Sequence, residues 1–122
     1  MLRFTIPIPP RTKKNSQSIV YCGGKPRIIQ SKAYKAYEKD AEPFIPYMDE
    51  PIRIPVNVRA VFWMPTRRRV DLVNLEEALC DVLVKYGVLE DDNHTIVRSM
   101  DGSRVEWDKE NPRTEVTIEE AE

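Results

Sequence analysis

The fold is decided by residues 70–87, which read VDLVNLEEALCDVLVKYG. Apolar residues recur there at helical spacing, so the pattern predicts an amphipathic helix from Asp71 to Tyr86. Its core-facing stripe consists of Leu72, Leu75, Leu79, Val82, Leu83 and Tyr86. Asp71 suits the N-cap position, and Gly87 suits the C-terminal exit. One long helix with a single buried face is therefore expected.

Strand patterns lie on both sides of this helix. Apolar residues occupy every second position from Ile52 to Met64, which predicts a long strand with one wet face for most of its length. A second helix is predicted from Ser31, as its N-cap, to Ala41. Shorter strands are predicted at 2–6, 96–100, 105–107 and 114–118, with a hairpin at 19–29 that turns at the Gly-Gly pair 23–24. The acidic tail after residue 118 is expected to fray.

The composition is typical of a globular protein in a reducing compartment. The chain has 122 residues, of which 32% are charged and 41% hydrophobic, and this length fits one domain, residues 1–122. No apolar run approaches the ~18 residues of a membrane span, and the N-terminus does not resemble a signal peptide. Two cysteines, Cys22 and Cys80, and one histidine, His94, exclude a disulfide framework and a two-histidine metal motif. A cytoplasmic protein without membrane contact is expected.

The charge is strongly asymmetric along the chain. Residues 1–69 hold 14 Lys/Arg and 5 Asp/Glu, whereas residues 70–122 hold 5 and 15, so charges of +9 and −10 make up the net −1. Basic surface favours phosphate binding, and clustered carboxylates favour a divalent cation. The alternative is two solvated halves that neutralise each other in the fold.

The carboxylates at and after the long helix are candidates for a metal site. Asp71 opens the helix, Asp81 follows ten residues later, and Asp91 and Asp92 form an acidic turn. Asp71 and Asp81 lie about 15 Å apart along the axis and cannot bind one ion together, so the turn is the candidate partner of Asp71. Mg²⁺ held by a few carboxylates supplies the activated water and the charge neutralisation that phosphodiester hydrolysis requires. The plain alternatives are a helix cap at Asp71, a salt-bridge partner at Asp81 and a solvated turn at 91–92.

Two basic stretches are candidates for phosphate binding. Arg67, Arg68 and Arg69 stand just before Asp71, where they could grip phosphates as a positive cradle. Lys13 and Lys14 lie in a polar loop after the first strand. Either stretch could instead be ordinary solvated surface.

The segment from Arg67 to Ile96 resembles the RusA family of Holliday junction resolvases. That family carries a stretch of the form R-R-x-D-x-D-N-L-x-K-A-x-x-D-A-L, followed by an acidic pair. Here residues 68–83 read RRVDLVNLEEALCDVL, and Asp91-Asp92 follows at the family spacing. The opening strand with its prolines, the basic loop at 13–15 and the segment 31–37 are more weakly similar.

The resemblance implies an α+β fold, a small mixed sheet with two main helices, assembled as a homodimer. It implies Mg²⁺-dependent paired nicking of four-way DNA junctions in recombination and repair, with Mn²⁺ as a possible substitute, and many members sit in prophages. It matches Asp71 and Asp92 to catalytic aspartates, with Asp91 beside them as a metal ligand. We expect DNA contacts at Lys13, Lys14, Asn15, Arg67, Arg68 and Arg69.

Two positions depart from the family pattern. Val73 stands where a second catalytic aspartate is expected, and Glu77 stands where a catalytic lysine is expected. Such losses normally lower activity by orders of magnitude, so two interpretations stay open: a resolvase with a rearranged site, and a junction-binding relative that cuts poorly or not at all. A third is an interaction domain that self-associates through its charge asymmetry. Val73, Cys80 and Val84 also form a second apolar strip on the helix, which indicates either a subunit interface or packing under a loop.

Overall fold

The structure is a computed structural model that describes residues 1–13, 17–30 and 32–121. Its elements in chain order are β1 (Leu2–Ile6), β2 (Gln17–Cys22), β3 (Lys25–Gln30), α1 (Lys32–Ala41), a 3₁₀ turn (Glu42–Phe44), β4 (Val56–Met64), α2 (Leu72–Lys85), β5 (Val97–Ser99), β6 (Arg104–Trp107) and β7 (Arg113–Glu120). A five-stranded mixed sheet and two α-helices confirm the expected α+β class. The predicted Ser31 cap lies outside the described residues.

The main sheet is built around β4 and β7. Strand β7 lies between β1 and β4 and is antiparallel to both. The other edge of β4 pairs in parallel with β5 near its start and with β6 near its end. The turn between β5 and β6 is fastened to β4, because Asn57 Oδ1 accepts a hydrogen bond of 2.8 Å from the Asp101 backbone N–H and Ser103 Oγ accepts one of 3.0 Å from that of Ala60. Strand β6, which follows this turn, therefore runs beside the C-terminal half of β4.

Both helices contribute to one core with the inner face of the sheet. Alternate residues of β4, which are Val56, Val58, Ala60 and Phe62, are buried together with Leu75, Leu79, Val82 and Leu83 of α2 and Tyr34, Tyr37 and Ala41 of α1. Hydrogen bonds join the two helices: Tyr34 Oη donates to the Ala78 carbonyl (3.2 Å), and Tyr86 Oη donates to the Glu38 carbonyl (2.8 Å). The stripe predicted for α2 thus faces the core, and the helix has the expected bounds within one residue.

The strand predicted from Ile52 is shorter than expected. Strand β4 begins at Val56, and Ile54 is 44% exposed. Pro55 has no N–H to donate, which interrupts the ladder before Val56. Ile52 instead forms an isolated parallel bridge with Leu89, through hydrogen bonds to the Val88 carbonyl (2.8 Å) and from the Glu90 N–H (3.0 Å). This bridge anchors the chain just before the acidic turn.

Two further expectations concern turns and ends. The hairpin is confirmed, with Gly23 and Gly24 at φ values of 61° and 80°, which glycine adopts without strain. The predicted fraying after residue 118 is wrong, since Glu119 and Glu120 stay paired with Asn57 and Val56 of β4. Among the described helices, none is both long and apolar enough to cross a lipid bilayer.

Candidate active site and nucleic-acid interface

Asp71 occupies the N-cap position of α2, but its side chain does not cap the helix. Its backbone is extended (φ −90°, ψ 124°), and its carboxylate accepts no hydrogen bond from a helix N–H. The recorded partner of this carboxylate is the Asn74 side-chain amide, which donates to Oδ2 over 3.3 Å. The expected side-chain cap at Asp71 is therefore wrong, because the carboxylate turns toward Asn74. The Asp71 carboxylate is therefore exposed at the start of the helix, with one long hydrogen bond, from Asn74.

The acidic turn is held by its own hydrogen bonds. The carboxylate of Asp91 accepts from the Asp92 N–H (2.7 Å) and from the Asn93 side-chain amide (3.0 Å). The Asn93 side-chain oxygen in turn accepts from the Thr95 N–H (2.9 Å). Both aspartates are exposed, so the turn presents two carboxylates to solvent on an ordered backbone.

Negative charge accumulates where the turn meets the middle of α2. Although Asp92 is exposed as a residue, partial desolvation of its carboxyl raises the pKa, and the negative charges of Asp81 and Asp91 raise it further. Burial likewise raises the pKa of the Cys80 thiol to about 12, with contributions from Asp92 and Asp81. Asp92 thus lies in the electrostatic field of Asp81, and a thiol with such a pKa is not a nucleophile at neutral pH.

Asp81 forms an ion pair with Lys13, which reaches α2 from the loop after β1. The two side chains are 24% and 33% exposed. Their hydrogen bond is the main cause of the raised pKa of Lys13, and the charges of Glu77 and Glu38 add to it. The interpretation of Asp81 as a salt-bridge partner is confirmed. Sequence reasoning did not foresee its partner, which is 68 residues away.

Three arginines, Arg11, Arg68 and Arg69, line one groove. The groove has a volume of about 590 Å³, and its lining also includes Pro9 and Thr12 of the loop after β1. Thr12 is 6% exposed, so the chain is buried just before Lys13. Lys14 and Asn15, two of the expected DNA contacts, lie outside the described residues.

Arg67 stacks on an exposed tryptophan. Its guanidinium carbon lies 4.4 Å from the ring centroid of Trp107, which is 43% exposed. The parallel register of β4 with β6 pairs Met64 with Trp107 and so brings this ring to the loop that carries Arg67. Sequence reasoning missed Trp107, since only the strand pairing connects it to the arginines.

The acidic side chains suit a magnesium ion in their chemistry. Within residues 1–13, 17–30 and 32–121, no group of three or more His, Cys, Asp or Glu side chains is placed to hold an ion. Mg²⁺ commonly uses one or two carboxylates and completes its shell with water and phosphate oxygens. The oxygens of Asp71, Asp91 and Asp92 are donors of this class, and the negative surroundings of Asp92 favour a cation. Asp71, Asp91 and Asp92 therefore do not form a three-carboxylate site in this structure, and one or two of them at a time fit an ion that takes its other ligands from water and phosphate.

A family comparison agrees with this arrangement. The model of the endodeoxyribonuclease RusA family matches residues 7–119. The chain belongs to the RusA family. No curated protein gives a significant match. The RusA match spans the groove, α2 and the acidic turn, so the recognised resemblance is confirmed over nearly the whole chain.

The two departures from the RusA pattern both lie on exposed positions of α2. Val73 is 70% exposed. Glu77 is exposed and faces the charge of Lys13. Cys80 is 5% exposed, so the second apolar strip is buried at its centre and open at Val73.

Proposed function

We propose that this chain is a Mg²⁺-dependent endonuclease that resolves four-way DNA junctions by paired phosphodiester hydrolysis, in recombination and repair. In this proposal residues 1–122 form one nuclease domain that acts as a homodimer, with Mn²⁺ as a possible substitute metal. RusA membership supports endodeoxyribonuclease activity as the class of reaction. The junction substrate, the metal and the dimer are the finer parts that the experiments below address.

The observation that carries the proposal is the basic groove at the start of α2. Arg11, Arg68 and Arg69 line it together, and Asp71 follows two residues after Arg69 in the sequence. Arginine binds phosphate with two parallel N–H donors, so it positions a DNA backbone as well as attracting it. A backbone held in this groove would pass the carboxylate of Asp71.

Each site residue has a defined task in the proposed reaction. Asp71 and Asp92, with Asp91 beside Asp92, would supply the one or two carboxylates that hold Mg²⁺, which supplies charge neutralisation and an activated water when bound. Arg68 and Arg69 orient the scissile strand through its phosphates. Arg67 offers its remaining N–H donors to a neighbouring phosphate while its planar face stays on Trp107. Lys13, Lys14 and Asn15 belong to the same DNA surface in this proposal.

A two-fold dimer suits the substrate. A four-way junction needs two matched cuts, and a homodimer presents two identical sites related by symmetry. The second apolar strip of α2, whose exposed end is Val73, is the surface that this proposal assigns to the second copy.

A binding protein without efficient cleavage is the second candidate. It is favoured by Val73 and Glu77, which replace a carboxylate and a cation of the RusA pattern at exposed positions of α2. The same groove and arginines would then bind branched DNA, with little hydrolysis.

A labelled synthetic four-way junction separates these candidates. The protein is incubated with it in Mg²⁺ or Mn²⁺, and a linear duplex of the same arm sequence is the control. Paired symmetric nicks in the junction alone are expected. A gel shift without nicks would support the binding protein. If neither nicks nor a shift appear, the nuclease proposal is wrong, and self-association through the charged halves becomes the better account.

A further inference from the structure

Three arginines meet on the outer face of the main sheet, the face that points away from the helices. Arg3 of β1, Arg59 of β4 and Arg104 of β6 line one cavity of about 290 Å³. Thr117 of β7 is paired with both Arg3 and Arg59, so these two arginines lie on either side of it in one row across the sheet. Arg104 is paired with Val61, two residues after Arg59 on the same face.

The cavity has an apolar floor and a charged rim. Val61 is 5% exposed although it points away from the core, so the side chains around it cover the floor. Arg3, Arg59 and Arg104 are exposed as residues. Arginine covers apolar surface with its methylene groups while the guanidinium stays in water, so these side chains can present their N–H donors at the rim.

The arginines of this cavity are poorly neutralised. Within the part of the chain that the structure describes, no carboxylate forms an ion pair with Arg3 or Arg59. Arg59 Nε donates a long hydrogen bond of 3.4 Å to the Gly102 carbonyl. Arg104 has Glu106 at 3.6 Å, in a pair that is largely open to solvent and therefore weak.

The carboxylate that lines the cavity is engaged elsewhere. Glu115 Oε1 accepts a hydrogen bond of 2.7 Å from the indole N–H of Trp63, and Oε2 forms an ion pair of 3.4 Å with Arg113. The charge of Glu115 is therefore shared with Arg113. The three arginines keep a positive surplus, which favours an anionic ligand.

The cavity and the groove of the proposed function open on opposite sides of the sheet. Met64 and Leu75 line the groove, and both side chains pack with the core on the inner face. Val61 belongs to the outer face. A straight duplex in the groove leaves the outer face free, whereas the diverging arms of a four-way junction can reach both sides.

We infer that Arg3, Arg59 and Arg104 form a second DNA-backbone site, which binds another arm of the branched DNA held in the groove. The inference rests on the proposed binding of branched DNA. Arginine donates to phosphate oxygens through two parallel N–H groups. Arg3 and Arg59 are separated by two strand spacings, about 10 Å, which suits separate phosphates of one backbone.

The first test is the double variant Arg3→Gln/Arg59→Gln, measured by fluorescence anisotropy in metal-free buffer. At about 0.1 M salt the Kd for a four-way junction should rise at least about tenfold, and the slope of log Kd against log salt should fall by up to about 1.8. The Kd for a linear duplex of the same arm sequence should change by no more than about twofold, because the groove is intact.

Lys35→Gln/Lys39→Gln is the matched control, because it removes the same charge from exposed positions of α1. It should leave both Kd values within about twofold of the parent. Parental junction binding by the Arg3→Gln/Arg59→Gln variant, or equal losses on junction and duplex, would overturn the inference.

The second test adds charge to the cavity, since a gain in affinity does not arise from damaged folding. Thr117→Lys places an ammonium between Arg3 and Arg59 and should lower the junction Kd by at least about threefold, with a steeper salt slope. Tyr47→Lys, at a position that is 87% exposed before β4, adds the same charge elsewhere and should have less than half that effect. An equal gain in the two variants would contradict the inference.

The outcomes separate this inference from the proposed function. If the parent binds the junction without cutting it, cleavage is refuted, and the inference stands when the first variant loses junction affinity. If the parent cuts the junction and the first variant binds it equally well, the inference alone is wrong. A parent that binds no DNA refutes both. A changed oligomeric state of the DNA-free first variant in sedimentation would show that a second copy covers this face, and would also overturn the inference.

Discussion

Replacing Asp71 by alanine distinguishes a metal ligand from a helix cap by its effect on stability. Replacing an aspartate that caps a helix by alanine lowers the free energy of unfolding by about 1 kcal/mol. Asp71 makes no side-chain cap hydrogen bond, so the loss reduces to its favourable charge at the N-terminus of α2, about 0.5 kcal/mol. Unfolding entropy is about 2.1 cal/mol/K per residue, so for 122 residues the melting temperature should fall by about 2 °C. If the Asp71 side chain capped the helix by a hydrogen bond, the fall in melting temperature would be larger by about 4 °C.

The same substitution should nearly abolish catalysis. Loss of a ligand to the ion should slow single-turnover cutting of a four-way junction by about 1,000-fold, which corresponds to about 4 kcal/mol in the barrier. Junction binding in metal-free buffer should persist, because Asp71 is an acid and contributes no attraction to phosphate. Asp49→Ala, at an exposed acid before β4, is the control and should change neither quantity.

The combination of results decides the interpretation. A fall of about 6 °C with parental cutting would show that Asp71 is a helix cap and that the metal assignment is wrong. If the melting temperature falls only slightly and cutting stays at the parental rate, Asp71 is neither a metal ligand nor a helix cap. Asp71→Asn provides a second comparison, since asparagine caps helices as well as aspartate does but binds Mg²⁺ less well.

Three further outcomes are expected. Val73→Asp should raise Mg²⁺-dependent cutting about tenfold, because it adds a carboxylate at a position that is 70% exposed on α2; an equal or lower rate would show that the site does not use this position. Replacing Arg68 and Arg69 by glutamine should lower the slope of log Kd against log salt by up to about 1.8, since each phosphate contact contributes about 0.9; an unaltered slope would exclude them from the DNA surface. Asp92→Asn should stabilise the metal-free protein increasingly as the pH rises from about 3 to 7. The native pKa of Asp92 is raised, so in the parent its ionisation lowers folding stability over that range, and thermal melts that show the same gain at every pH would contradict this.

Local patterns in the sequence were sufficient for most elements of the fold. The stripe from Leu72 to Tyr86 predicted α2, because helix periodicity places these residues on one face whatever the rest of the chain does. The Gly23–Gly24 turn was equally local, since two positive φ angles favour glycine. The strand was predicted to begin at Ile52 because apolar and polar residues alternate from there. That pattern does not take into account that Pro55 has no N–H to donate to the neighbouring strand.

The candidate site was only partly predictable for a different reason. The carboxylates and arginines were visible as residue types at suggestive spacing, and their motif pointed to the RusA family that the chain belongs to. Whether Asp71 caps its helix depends on a side-chain rotation, and the structure turns that carboxylate toward Asn74. Residue type and spacing do not determine such a choice, because both conformations suit an N-cap position.

The sequence by itself determined the helices, most strands and the family, since these depend on contacts among residues close in the chain or on a motif within about 25 positions. Only the tertiary structure decided that Lys13 pairs with Asp81, that Arg67 stacks on Trp107, and that Arg11 lines a groove with Arg68 and Arg69. These contacts join residues about 40 to 70 positions apart, and they exist because β-strand pairing and helix packing bring separate segments together. No periodicity along the chain encodes that pairing.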